Sequence, residues 1–236
     1  NVYGKWSKPN YNSVVSTFCY NISRNKKIKI TNPNKTINLL YIDDLVDELI
    51  NIKNKKAVKD KIFNKFKFTQ QLTAKKLSNI IYNFEKNRNT LFLNDLKSKL
   101  AKNLYSTYIS FLPKKKFSYK LKSSKDKRGS FTEVLKTNNN GQISVFVAKK
   151  NKIRGHHFHN SKVEKFLVLK GRALFKMQNV INKQKVSFNL NSHIPKIVET
   201  IPGWQHYIKN IGSEDLVVLL WSNEVFDVKK PDTYQI

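Results

Sequence analysis

Arg154-Gly155-His156-His157-Phe158-His159, followed by Glu164 and Gly171, holds three of the chain's five histidines. Its spacing is His-x-His, four residues, Glu, six residues, Gly. Side-chain direction on a strand repeats every two residues, so His157 and His159 are expected to share one face. Glu164, arriving on the next strand, adds a carboxylate oxygen. Further on, Pro202-Gly203-Trp204-Gln205-His206 brings a fourth donor out of a Pro-Gly turn. Three imidazoles and one carboxylate form a mixed N/O set suited to a borderline divalent metal, with zinc, iron, manganese and nickel all admissible.

Outward from this stretch the apolar period is two. Residues 131–137, 142–148, 152–159, 165–170, 172–178, 185–190, 196–200, 205–209 and 216–222 read as short strands. Turns such as Asn138-Asn139-Asn140-Gly141 and Asn210-Ile211-Gly212 separate them. Short strands at near-regular spacing predict an antiparallel sandwich or barrel. Upstream of Pro113 the period is 3.6. Asp43 caps a predicted helix over 44–52, Thr73 caps one carrying Leu77, Ile80, Ile81 and Phe84, and a third carries Leu93, Leu96, Leu100 and Leu104. A short helix is expected near residues 13–18, with β-type runs at 28–30 and 37–42. The lysine-rich stretch from Pro113 to about Lys127 reads as a linker. The expected class is α+β: an α/β region over 1–120 and an all-β domain over 121–236.

The net charge of +29 raises the question of nucleic acid. Lysine, scattered among Asn and Ile, carries most of it. Only short runs stand out, Lys53-Asn54-Lys55-Lys56, Lys114–Lys116 and 120–127. A phosphate-tracking surface would show arginine clusters with interleaved aromatics. The pattern fits a compositional bias with a solvated surface, and an anionic small ligand such as a nucleotide sugar fits it too, so no nucleic acid is expected. The single cysteine, Cys19, excludes an internal disulfide and suits a reducing compartment. No apolar run approaches the roughly 18 residues of a membrane span, and no signal peptide opens the sequence. The expectation is a cytoplasmic protein without membrane contact. Because the first residue is Asn, a front portion is expected to be missing.

The β half resembles the cupins. His157-x-His159-x4-Glu164-x6-Gly171 and Gly203-x2-His206-x3-Asn210 match both cupin signatures in order, with Pro202 standing directly before Gly203 where the family leaves one residue between. The front resembles the tail of an extended short-chain dehydrogenase/reductase, through Asn1-Val2-Tyr3-Gly4 and Leu40-Tyr41-Ile42-Asp43-Asp44. Together with Arg128–Thr137, Glu164–Val168, Trp221–Glu224 and Pro231–Tyr234, these resemble the bifunctional CapF-type enzymes of capsular polysaccharide synthesis over essentially the whole chain. The resemblance implies a reductase region followed by a cupin barrel of the double-stranded β-helix type. It implies C3 epimerisation and C4 reduction of a UDP-linked 4-keto-6-deoxy-N-acetylhexosamine towards UDP-N-acetyl-L-fucosamine, and a homodimer. It also implies zinc held by His157, His159, Glu164 and His206.

The nucleotide-binding glycine loop and a Tyr-x3-Lys pair in matching context are absent from the sequence, so the chain is expected neither to bind NADPH nor to transfer hydride. Epimerisation beside a ketone passes through an enolate, whose oxygen a metal can stabilise. Counting by twos from Glu164 makes Lys170 the expected base. Arg128-Gly129-x-Phe131 and Arg154-Gly155-x-His157 also resemble dTDP-sugar 3,5-epimerases, in which the histidine matching His157 is the base. Arg128 and Arg154 would then bind diphosphate or sugar oxygens, with Phe131 beside them. By resemblance Asn1 and Asn12 contact the UDP-sugar. His156 is expected to point away from the metal face, and His193 to lie exposed. A cupin isomerase or oxygenase with another substrate, and a sugar-binding cupin without catalysis, stay open.

Overall fold

The computed structural model describes residues 1–54 and 70–235, so Lys55 and Lys56 of one basic run lie outside the described residues. The chain divides into two compact units, Asn1–Thr90 with Asn94–Tyr119, and Leu91–Leu93 with the chain from Lys120 onward.

In the first unit, β1 (Val2–Tyr3) runs parallel to β2 (Thr36–Tyr41), and β2 pairs antiparallel with β3 (Gln70–Thr73). The described residues of this unit also form helices α1 (Val14–Ser23), α2 (Ile42–Asn54), α3 (Ala74–Thr90) and α4 (Lys99–Ser110). Three helix starts follow from hydroxyl caps, each satisfying a backbone N–H with no partner in the first turn. Ser13 accepts from Ser16 at 3.3 Å, Thr73 from Lys76 at 3.2 Å and Ser98 from Ala101 at 3.1 Å. Asp43 sits inside the first turn of α2 rather than before it, where its charge still meets the positive helix end. Leu77, Ile81, Phe84 and Leu104 are buried together, as their spacing predicts. Leu93 and Leu96 depart from their expected places on that helix. The cap at Ser98 starts α4 later, and residues 91–93 extend instead beside Lys136, bonded through Leu93 N–H and Leu91 C=O at 2.7 Å each. The run at 28–30 forms no strand.

In the second unit ten strands among the described residues make two sheets. One has the order β10 (Lys185–Asn191), β9 (Arg172–Asn179), β12 (Trp204–Asn210), β7 (Ile153–His157). The other runs β11 (Ile197–Glu199), β8 (Glu164–Lys170), β13 (Leu216–Ser222), β6 (Gln142–Ala148), β5 (Gly129–Lys136), β4 (Ser123–Asp126). All pairings in both are antiparallel. This is the cupin β-sandwich. β4 was hidden in the lysine-rich stretch read as a linker, because four exposed polar residues carry no apolar alternation.

Alternation on β6, β8 and β9 turns Phe146, Phe166, Val168, Ala173, Phe175 and Met177 inward, where they meet Ile208, Leu216 and Val218. Phe166 lies edge-on to Phe175 at 5.0 Å and to Phe146 at 6.3 Å. Gly155 answers a second demand. With φ at +103°, a Cβ there would stand 2.7 Å from the carbonyl oxygen of His206 and 2.9 Å from Cα of Tyr207. Only glycine lets β7 approach β12 at the bulge between His206 and Tyr207.

Two stability outcomes follow. Phe175→Ala is expected to cost about 3–5 kcal/mol, as for other large aromatic truncations in a filled core. Gly155→Ala is expected to cost about 2 kcal/mol or more from strain and contact. Chemical denaturation of both variants beside the unmodified chain checks them.

Candidate metal centre

The β7–β8 connection crosses from one sheet to the other, and this lets a short sequence motif surround a point between the sheets. His157 ends β7, His159 follows the strand, and Glu164 opens β8 in the facing sheet. His206 stands opposite His157 in the β7–β12 register. One donor atom from each of the four residues lies within 4.8 Å of the others. The spacing therefore brings all four expected ligands together. His159, Glu164 and His206 are buried and His157 half-buried.

Backbone bonds pin the loops that carry them. Gly203 N–H donates to the His159 carbonyl at 2.8 Å, tying the two signature segments together. Thr200 N–H donates to the Glu164 carbonyl, and Glu164 N–H to Thr200 Oγ1, each at 2.8 Å. Phe166 and Phe175 pack beneath His206, with ring centroids 6.0 and 6.1 Å away.

The donor set itself tests for a cation. His159 Nδ1 bonds to the carbonyl of Asp232, and His206 Nδ1 faces the carbonyl of Trp204 at 3.3 Å. A carbonyl only accepts, so each Nδ1 carries a proton and each neutral ring leaves a lone pair on Nε2. Both Nε2 atoms stand 3.3 Å from Glu164 Oε2, and all three atoms are buried without a hydrogen-bond partner. Lone pairs converging on a carboxylate in a dry interior are stable only with positive charge among them. Ligands of one ion, at bonds of about 2.1 Å, stand roughly 3 Å apart. The residues fit a divalent cation. Burial, with His206 and His159 nearby, pulls His157 down to about 4.

The same centre opens into a cavity of about 480 Å³, lined by Arg128, Phe131, Arg154, His157, Glu164 and His206 among others. Asp126 organises the two arginines. Its carboxylate accepts from Arg128 Nε at 3.0 Å and Nη2 at 2.6 Å, and lies 3.7 Å from Arg154 Nη2. Arg128 holds the Asp126 carboxyl down at about 2.

Lys170 does not reach the centre, contrary to expectation. A bulge in the β8–β13 register at Val217/Val218 interrupts the count by twos. Lys170 ends exposed, ion-paired with Glu214 at 2.9 Å, and it does not line the cavity. Lys162 lines it instead, buried in the turn before Glu164, where strand periodicity does not reach. Glu133, Gln142, Ser222, Glu224, Thr233 and Gln235 also line it. Glu133, Gln142 and Ser222 lie on strands, and no motif in the sequence marks them. Asn1 and Asn12 belong to the first unit, where Asn1 Nδ2 donates to the Asn38 carbonyl at 3.3 Å. His156 is exposed with φ at +69° and stacks on Tyr207 at 4.6 Å; His193 is exposed in a turn.

Because His157 titrates lower folded than its ordinary 6.5, the metal-free protein is expected to be most stable above that value. It loses stability as pH falls towards about 4, since the unfolded chain then binds the extra proton. Denaturation of metal-free protein across this range should show a shallower loss for His157→Gln.

A family model described as the polysaccharide biosynthesis C-terminal domain matches residues 124–234. The chain is 45% identical over 234 residues to a UDP-2-acetamido-2,6-beta-L-arabino-hexul-4-ose reductase of Pseudomonas aeruginosa, covering 99% of this chain and 63% of the relative. The crystal structure of the capsular polysaccharide assembling protein CapF from Staphylococcus aureus matches with a TM-score of 0.93 at 37% identity, over 100% of this chain and 64% of that one. A CapF structure with the inhibitor 3-isopropenyl-tropolone gives the same score and identity over 68% of its chain. The chain thus spans 63% of the length of the curated relative. Among the described residues no helix is long and apolar enough to cross a membrane. With this identity, coverage and fold, the chain belongs to the CapF family of capsular polysaccharide proteins.

Proposed function

We propose that the β-sandwich of this chain epimerises C3 of a UDP-linked 4-keto-6-deoxy-N-acetylhexosamine during capsular polysaccharide synthesis. The observation that carries the reading is the joining of the buried His/Glu cluster and two arginines in one cavity. The name of the Pseudomonas relative supports the substrate class, a UDP-linked 4-keto sugar. The reductase step of that name is not assigned to these residues, which lack the glycine loop and are expected to bind no NADPH.

His157, His159, Glu164 and His206 would hold the cation, with zinc the expected metal. Bound there, it supplies Lewis acidity for the C4 ketone oxygen, where negative charge collects when the C3–H bond breaks. The guanidinium groups of Arg128 and Arg154 bind the diphosphate or sugar oxygens. Phe131, Phe146, Phe166 and Leu220 keep the wall around the reacting carbon apolar. Glu133, Lys162 and Glu224 are the wall groups, other than the proposed ligands and arginines, able to take the C3 proton and return one to the opposite face. A homodimer belongs to the same proposal by family likeness.

The test is solvent deuterium entering C3 of the keto sugar, read by mass spectrometry or NMR alongside metal analysis. Exchange is expected with zinc bound and is expected to be lost on chelation or in His206→Ala. Arg154→Ala is expected to lower kcat/KM roughly 10- to 100-fold, the worth of one charged hydrogen bond. No exchange at C3 from protein carrying stoichiometric metal would sink the epimerase reading. Binding of the sugar without turnover would favour a non-catalytic cupin.

A further inference from the structure

The segment after β13 returns to the metal centre, and none of the expected ligand motifs contains it. Phe158 and Tyr234 form an antiparallel bridge, with Phe158 N–H to the Tyr234 carbonyl at 2.9 Å and Tyr234 N–H to the Phe158 carbonyl at 3.0 Å. Their rings meet at 5.4 Å. Two residues earlier, the Asp232 carboxylate gathers Asn160, Ser161 and Lys162 of the turn between His159 and Glu164. Oδ1 accepts from Asn160 N–H at 2.9 Å. Oδ2 accepts from Ser161 N–H at 2.8 Å, Lys162 N–H at 2.7 Å and Ser161 Oγ at 3.0 Å. The backbone carbonyl of the same residue takes the Nδ1 proton of His159.

We propose that Asp232 is a positioning residue of the metal centre, fixing both the tautomer and the placement of His159. The proposal rests on the reading of His157, His159, Glu164 and His206 as metal ligands. Its physical basis is the asymmetry between two buried imidazoles. His206 faces a carbonyl two residues away on its own strand, that of Trp204. His159 lies beyond the end of β7, and its partner comes from 73 residues away. Nothing local on its own loop sets which ring nitrogen carries the proton. Four donors from the turn bind one carboxylate, which locks the Asp232 backbone and so aims its carbonyl at Nδ1. With Nδ1 protonated, the Nε2 lone pair must face Glu164 and the centre. Partners of this kind orient a ligating ring and raise its basicity, and losing one typically weakens metal binding about 10- to 100-fold. Thr233 extends the same segment into the cavity wall, where its hydroxyl accepts from Lys162 Nζ at 3.3 Å. One tail segment thus places both a proposed metal ligand and the buried ammonium of the cavity.

Two readouts on the full chain test this. In metal-free protein, long-range 1H–15N spectra of the imidazoles are expected to show His159 as the Nδ1–H tautomer. Asp232→Ala is expected to abolish that single form. In a chelator competition, zinc affinity is expected to fall about 10- to 100-fold in Asp232→Ala. Asp232→Asn keeps one acceptor oxygen for the turn and is expected to fall between the two. The core variant Val198→Ala, on β11, controls for general destabilisation and should keep zinc affinity and tautomer. Absence of zinc binding by the unmodified chain would overturn the metal reading together with this one. Zinc binding that Asp232→Ala and Asp232→Asn leave within threefold, with the tautomer unchanged, would overturn the positioning role alone.

Discussion

Two imidazole lone pairs directed at one buried carboxylate are the constraint on which the second unit depends. Left alone, such an arrangement is costly, since each group is desolvated and none has a donor facing it. The surrounding structure imposes it all the same. Phe166 and Phe175 form an apolar shelf below His206, Thr200 clamps the backbone of Glu164, and Gly203 ties its turn to His159. Fixed contacts that impose so unfavourable a cluster fit a place that could hold a cation. Donor chemistry and burial carry that reading without family likeness.

Charge is arranged differently around the cavity than over the rest of the chain. Most of the surplus lysines are dispersed, which gives a general attraction to anions without a defined geometry. At the cavity, Asp126 holds Arg128 in a two-point contact and lies near Arg154, so two guanidinium groups are presented from β5's approach and from β7. Arg154 is itself half-buried, with its Nε on the Val147 carbonyl and its guanidinium over Phe146, so that burial lowers its pKa while Asp126 opposes the effect. Ordered guanidinium groups beside a metal centre suit a ligand with both anionic oxygens and a polarisable carbonyl.

Much of the sandwich was legible because alternation is a local property. Residues 142–148 and 216–222 are strands with the boundaries their periodicity predicts, and the other expected strands of this half differ by a few residues at their ends. Where the signal is not periodic, reading by pattern failed. β4 is polar and exposed, and only its pairing with β5 makes it a strand. Leu93 matched a helical stripe, yet the Ser98 cap starts the helix beyond it. Lys170 obeyed the count by twos until a bulge interrupted the register, and its ammonium found Glu214 instead.

By itself the sequence determined which four side chains could form a metal centre, because the spacing of His157, His159, Glu164 and His206 encodes strand direction and a crossing between sheets. It also determined that apolar alternation would build a two-sheet core. Tertiary structure alone decided the protonation pattern that lets those four residues fit a cation. The carbonyl of Asp232 reaches His159 only after the chain has passed through β8 to β13. It alone decided, too, that Lys162 rather than Lys170 enters the cavity. Hydrogen-bond partners distant in sequence leave no periodic trace, and the physics that assigns a proton to one ring nitrogen acts through space.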